Sequence, residues 1–100
     1  MSNVVSFSYS STNVTTSVYV TISASTPVSC SKLLLNDTSG KIITLAIGAA
    51  GSEVDIISGR FDPTVGDVTV VPSYIPAGSR LSAKAVDANA TTGVLQVSFI

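Results

Sequence analysis

The chain has 100 residues, only 11% of them charged, with five basic against six acidic side chains, no histidine and a single cysteine. That charge is under half the usual share for a soluble domain. The scattered Lys32, Lys41, Arg60, Arg80 and Lys84 form no basic patch able to release counterions from nucleic acid. The longest apolar run falls far short of a bilayer span. One cysteine cannot close an intramolecular disulfide, and without histidine a zinc site would rest on one thiolate and dispersed carboxylates. The expectations are no nucleic-acid or membrane partner, no metal and no cofactor, with Cys30 a small apolar filler.

The length fits one domain over residues 1–100, large enough for a modest core. The opening Met1-Ser2-Asn3-Val4-Val5-Ser6 has neither a basic nor an uninterrupted apolar region. Synthesis in the cytosol is expected, unless a signal was removed before this numbering begins.

The first predicted strand is Asn3–Tyr9, where Val5, Phe7 and Tyr9 alternate with Ser6 and Ser8. The turn formers Ser10-Ser11-Thr12-Asn13 separate it from a second run. There Val14, Thr16, Val18, Val20 and Ile22 alternate with Thr15, Ser17, Tyr19 and Thr21, the period of a strand with one buried face. Pro27 breaks that run. A third strand at about Val28–Leu35 ends in Asn36-Asp37-Thr38-Ser39-Gly40, which predicts a hairpin to Lys41–Ile47. Gly48-Ala49-Ala50-Gly51-Ser52 turns the chain into a short fifth strand, Glu53–Ile57. The stretch from Arg60 to Asp67 carries Pro63 and Gly66 and reads as an irregular loop before Val68–Val71. Pro72–Gly78 is expected as a connection or edge, followed by strands at Ser79–Val86 and Gly93–Ile100. No stretch has a capped 3.6-residue apolar period, so no helix longer than one turn is predicted. Seven or eight short strands at this spacing define an all-β fold, a single antiparallel β-sandwich or jelly-roll-like domain.

Chemistry has little to work with. General acid–base catalysis most often uses histidine, which is absent; the carboxylate sets closest in sequence are Glu53 with Asp55, and Asp62 with Asp67. The segment between Asp62 and Asp67 lacks the ligand spacing of a calcium loop, and Gly48–Gly51 lacks the lysine and following helix of a phosphate cradle. Sequons at Asn13, Asn36 and Asn89 fall at turns, where asparagine sits in any case. No catalytic residue is assigned.

The run Ser73-Tyr74-Ile75-Pro76-Ala77-Gly78-Ser79-Arg80-Leu81-Ser82-Ala83-Lys84-Ala85 closely follows a recurrent phrase, I-P-A-G-S-R-[IL]-[SA]-[AV]-[KR]. It resembles that of small β-sandwich virion proteins of tailed bacteriophages. The likeness covers about residues 28–100 and includes Leu33–Asp37 with Ile43–Leu45, the step from Gly48 to Glu53, and Gly93–Val97.

The resemblance implies a capsid decoration, or cement, protein that binds the major capsid protein on the outer shell and stabilises the head. It further implies a homo-oligomer, trimer or dimer, with Met1–Val5 a candidate N-terminal arm. The location implied is the virion surface, after synthesis in the bacterial host cytoplasm. The alternative is a structural or receptor-binding module of tail, neck or fibre; a sugar site there would centre on Phe61 with Asp62 and Asp67. The candidate interface residues are Tyr19, Phe61 and Tyr74, with Arg80 and Leu81 from the phrase.

Overall fold

The computed structural model describes residues 4–10, 14–39, 42–61, 69–86 and 92–99, with backbone alone over 69–73. Eight strands form: β1 Val4–Tyr9, β2 Val20–Ser23, β3 Cys30–Asp37, β4 Ile43–Ile47, β5 Val54–Gly59, β6 Thr69–Ile75, β7 Leu81–Ala85 and β8 Gly93–Phe99. They build two antiparallel four-stranded sheets, sheet A in the order β1-β8-β3-β6 and sheet B in the order β2-β7-β4-β5. No helix among the described residues is long and apolar enough to cross a membrane.

The pairings β1·β8, β2·β7, β3·β6 and β4·β5 are those of one long two-stranded ribbon whose tip is the β4–β5 hairpin. Rolling the ribbon brings β3 against β8 and β4 against β7, which closes each sheet. This is the jelly-roll connection. Strand periodicity carries no information on strand order, so the sequence left jelly roll and immunoglobulin-like topologies equivalent.

The inward rows fill the space between the sheets. Sheet A contributes Tyr9, Leu33, Leu35, Ile75, Leu95, Val97 and Phe99; sheet B contributes Ile43, Leu45, Leu81, Ala83 and Ala85. Val14 and Phe61, from the connections, and Cys30, at the start of β3, also belong to the core.

Three expectations change. The hairpin expected at Asn36–Gly40 is not made, because β3 and β4 lie in different sheets; Gly40 itself lies outside the described residues. The second strand is only Val20–Ser23; Val14 is buried and Val18 is 59% exposed, so their alternation marks no single buried face. Of the candidate N-terminal arm, Val4 and Val5 belong to β1, and the remainder lies outside the described residues.

At the end of the sandwich where β1 and β3 finish, a buried carboxylate organises the crossing. Asp37 is fully buried and accepts a 2.6 Å hydrogen bond from the Tyr9 hydroxyl and one from the backbone N–H of Ser39. The Tyr9 and Ser39 hydroxyls also bond each other. The Asp37 N–H donates to the carbonyl of Phe61 at 2.9 Å, which ties the β5–β6 connection to the same point. β8 passes this cluster at Gly93, where a Cβ would stand 2.8 Å from the Tyr9 hydroxyl and 2.9 Å from the Ser39 hydroxyl. Only glycine fits there.

Gly93→Ala is therefore expected to lower unfolding stability by about 2 kcal/mol through forced displacement of Tyr9. Tyr9→Phe, which deprives a buried carboxylate of a donor, should cost about 1–3 kcal/mol. Urea unfolding followed by circular dichroism measures both, and wild-type midpoints in the two variants would contradict this account.

Candidate functional site

The phrase from Ile75 to Leu81 is a heavily braced turn. Ile75 and Leu81 are wholly buried and anchor the turn at both ends. Between them Gly78 takes φ +83°, the left-handed conformation that L side chains avoid. Thr26, 3% exposed, sits at the hub. Its N–H donates to the Ser79 carbonyl and its carbonyl accepts from the Gly78 N–H; its hydroxyl donates to the Pro76 carbonyl and accepts from the Ser79 N–H. The Ala77 N–H donates to the Ser29 hydroxyl at 2.9 Å. The β6–β7 turn is thus clamped to the β2–β3 connection.

Arg80 extends the clamp to the ribbon tip. Its Nε donates to the Thr21 hydroxyl at 2.9 Å, and one terminal nitrogen donates to the Gly48 carbonyl and to Glu53 Oε2 at 2.9 Å. The other Glu53 oxygen accepts the Gly51 N–H. The hydrogen bond from Arg80, then that of Glu53's own backbone, holds the Glu53 carboxyl below its usual range against the opposing effect of burial. Beside this brace lies a shallow depression of about 600 Å³, lined by Ile47, Ala49, Val54, Pro76 and Arg80 among others.

A second brace crosses the outer face of sheet B. Tyr19, just before β2, donates its hydroxyl to Asp55 on β5, the opposite edge strand, at 2.5 Å, and Lys84 Nζ lies 4.5 Å from the centre of the Tyr19 ring. Ser82 and Ala46, on the strands between, are fully buried. The bond to Asp55, then desolvation, then the negative charges of Asp55 and Glu53, raise the Tyr19 phenol above its ordinary pKa. Sheet B therefore spends its charged side chains on its own outer surface.

Sheet A is different. Its inward row is fixed by Leu33, Leu35, Leu95 and Val97, so the outward row reads Val4, Ser6 and Ser8 on β1, Val94, Gln96 and Ser98 on β8, and Leu34 and Asn36 on β3. Cross-strand rows join Leu34 to Ser98 to Val4, and Asn36 to Gln96 to Ser6. Lys32 is the one charged side chain among the described residues of its strands' outward positions. Tyr74, on edge strand β6 next to inward Ile75, is 67% exposed.

Of the five candidate interface residues, only Tyr74 stands open. Phe61 is 2% and Leu81 0% exposed; both fill the core, since a loop aromatic and a strand leucine each point into the sandwich. Tyr19 and Arg80 are engaged in the braces across sheet B. Asp62 and Asp67, the carboxylates of the candidate sugar site, lie outside the described residues, and their partner Phe61 is buried. None of the candidate interface residues lies on β1 or β8, whose outward positions make up much of the face of sheet A; the scarcity of charge in Val4–Ser8 and Val94–Ser98 was the available signal.

No protein-family model, curated protein or solved structure matches this chain.

The brace has a pH signature. Glu53 titrates below its ordinary value when folded, so its stabilisation is complete above that ordinary value and is lost as the pH falls through the lowered one. In an NMR titration of the Glu53 carboxyl, Arg80→Gln should move the midpoint upward towards that of a free glutamate. An unchanged midpoint would mean that Arg80 is not the cause.

Proposed function

We propose that this jelly roll is a bacteriophage capsid decoration protein that docks the outer shell through the outer face of sheet A. One observation carries the reading: the molecule separates a charged, self-braced face from a nearly uncharged one bordered by the exposed Tyr74. Depletion of charge with an aromatic at hand is the composition of the centre of protein–protein interfaces. The phrase Ile75–Leu81, which carries the resemblance to phage virion proteins, supports it by fixing the turn directly after Tyr74.

The protein acts without catalysis in this reading. The described acids have structural duties: Asp37 receives Tyr9, Glu53 receives Arg80, and Asp55 receives Tyr19. The partner is the major capsid protein. Contact across neighbouring capsid subunits would add apolar and hydrogen-bonded area that resists the outward pressure of packaged DNA. The location is the virion surface, reached after synthesis in the host cytoplasm. Jelly rolls also serve lectins, and fold alone does not decide function, so the test includes tails and cells.

Purified protein should co-sediment saturably with undecorated capsids and raise their disruption temperature. Tyr74→Asp should weaken that binding at least about tenfold, as loss of an anchoring interface aromatic does, with unfolding unchanged because the side chain is exposed. Val54→Lys, on the edge of sheet B, should bind as wild type. Binding to tails or host cells alone would assign the protein to the adhesion apparatus instead.

A further inference from the structure

The four edge strands of this sandwich are not equivalent. An edge strand turns alternate backbone N–H and C=O groups outward, and natural proteins blunt such edges with bulges, prolines or charges. β2 has four residues and an extra residue, Ile22, between its pairs with Ser82 and Leu81. β5 carries Asp55 and an extra Ile56 opposite the step from Leu45 to Ala46. β6 holds Pro72 and shifts register between its pairs with Lys32 and Cys30. Each of these three is bulged.

β1 has none of these devices. Its register with β8 runs unbroken from Val4 opposite Ser98 to Tyr9 opposite Gly93, and Val4-Val5-Ser6-Phe7-Ser8-Tyr9 contains neither charge nor proline. The strand is also incompletely covered. Val5 and Phe7 face inward yet are only partly buried against the core, and Val4 is 44% exposed on the outer side. The Phe7 ring is held in place by stacking on Tyr9, 6.2 Å between centroids.

We infer that β1 pairs antiparallel with β1 of a second copy of this chain, about a two-fold axis through Ser6, joining two A sheets into one. The occupant follows from self-complementarity. A two-fold axis normal to the sheet keeps outward residues with outward and inward with inward. The register centred on Ser6 then sets Val5 opposite Phe7 of the second copy, twice, and Ser6 opposite Ser6. Aromatic–β-branched pairs are favourable cross-strand neighbours, and both half-covered apolar side chains become buried together. A charged residue near the axis would meet its own copy; β1 has none. The same pairing of β5 would bring Asp55 towards its equivalent, and that of β6 would meet Pro72.

The contact is small. Five paired residues, Val4–Ser8, span about 17 Å, and such a strip falls below the roughly 800 Å² per partner of a standard stable interface, so the dimer forms as concentration rises. Its outer surface is the uncharged face of sheet A doubled in width. This pairing needs no capsid and stands apart from the docking proposal.

Sedimentation equilibrium of the purified protein over a wide concentration range tests it. Wild type should pass from monomer to dimer. Ser6→Lys, which sets two ammonium groups face to face at the axis, should weaken dimerisation at least about tenfold with the thermal unfolding of a folded monomer retained. Tyr74→Asp, on the opposite edge of sheet A, should dimerise as wild type. Under mild oxidation Ser6→Cys should form a disulfide-linked dimer that maps to residue 6 and leaves the buried Cys30 reduced. A wild-type protein that stays monomeric throughout, a dimer that persists in Ser6→Lys, or a dimer lost in Tyr74→Asp would overturn the inference.

Discussion

A carboxylate removed from water must be given hydrogen-bond donors or it costs several kcal/mol, and in this chain that requirement falls on Asp37. Its donors come from Tyr9 at the end of β1 and from the backbone of Ser39 just past β3, and β8 approaches closely enough that only glycine fits at residue 93. Three neighbouring strands of sheet A are thus fixed in register at one point. A slip of one residue would turn Tyr9 outward, away from Asp37, together with every inward side chain of β1.

The opposite end of the sandwich is held without a buried charge. Thr26 uses its N–H, carbonyl and hydroxyl on the β6–β7 turn, and the Arg80–Glu53 pair, with side chains 17% and 11% exposed, fastens the ribbon tip. An ion pair that keeps contact with water contributes less than the packing around it. Its importance lies in geometry, because the hydrogen bonds of Arg80 join two segments, β2 at Thr21 and both ends of the β4–β5 turn at Gly48 and Glu53. The clamped ends leave the broad faces of the sheets as the surfaces that can differ, and they do: sheet B ties down its charges, and sheet A carries almost none.

Much of this was legible in the sequence, and the failures share a cause. Alternation located strands near β1, β3, β4, β5, β7 and β8, because a side-chain period of two follows from the pleat. The prolines and glycine of Pro72–Gly78 announced a connection, and Gly78 there adopts a positive φ. What periodicity cannot express is which strand lies beside which. The turn formers of Asn36–Gly40 suited a hairpin equally well as a crossing between sheets. Phe61 and Leu81 read as free because burial in a sandwich depends on what the opposite sheet presents. The buried state of Asp37 had no local sign either: its partner Tyr9 lies far away in the chain and meets it only after the ribbon has rolled.

The ribbon connection also bears on how such a chain reaches its native state. The β4–β5 hairpin closes a loop of a few residues, whereas β1 and β8 join segments from opposite ends of the described chain, from Val4 against Ser98 onward. Closure entropy grows with the length enclosed, and non-local pairing slows folding. Zipping outward from the tip, through β3·β6 and β2·β7, adds each pair to one already formed and avoids closing the largest loop at once. On that route β1 is the last strand to dock, so the edge without bulge, proline or charge is hidden least in the nascent protein and completed last.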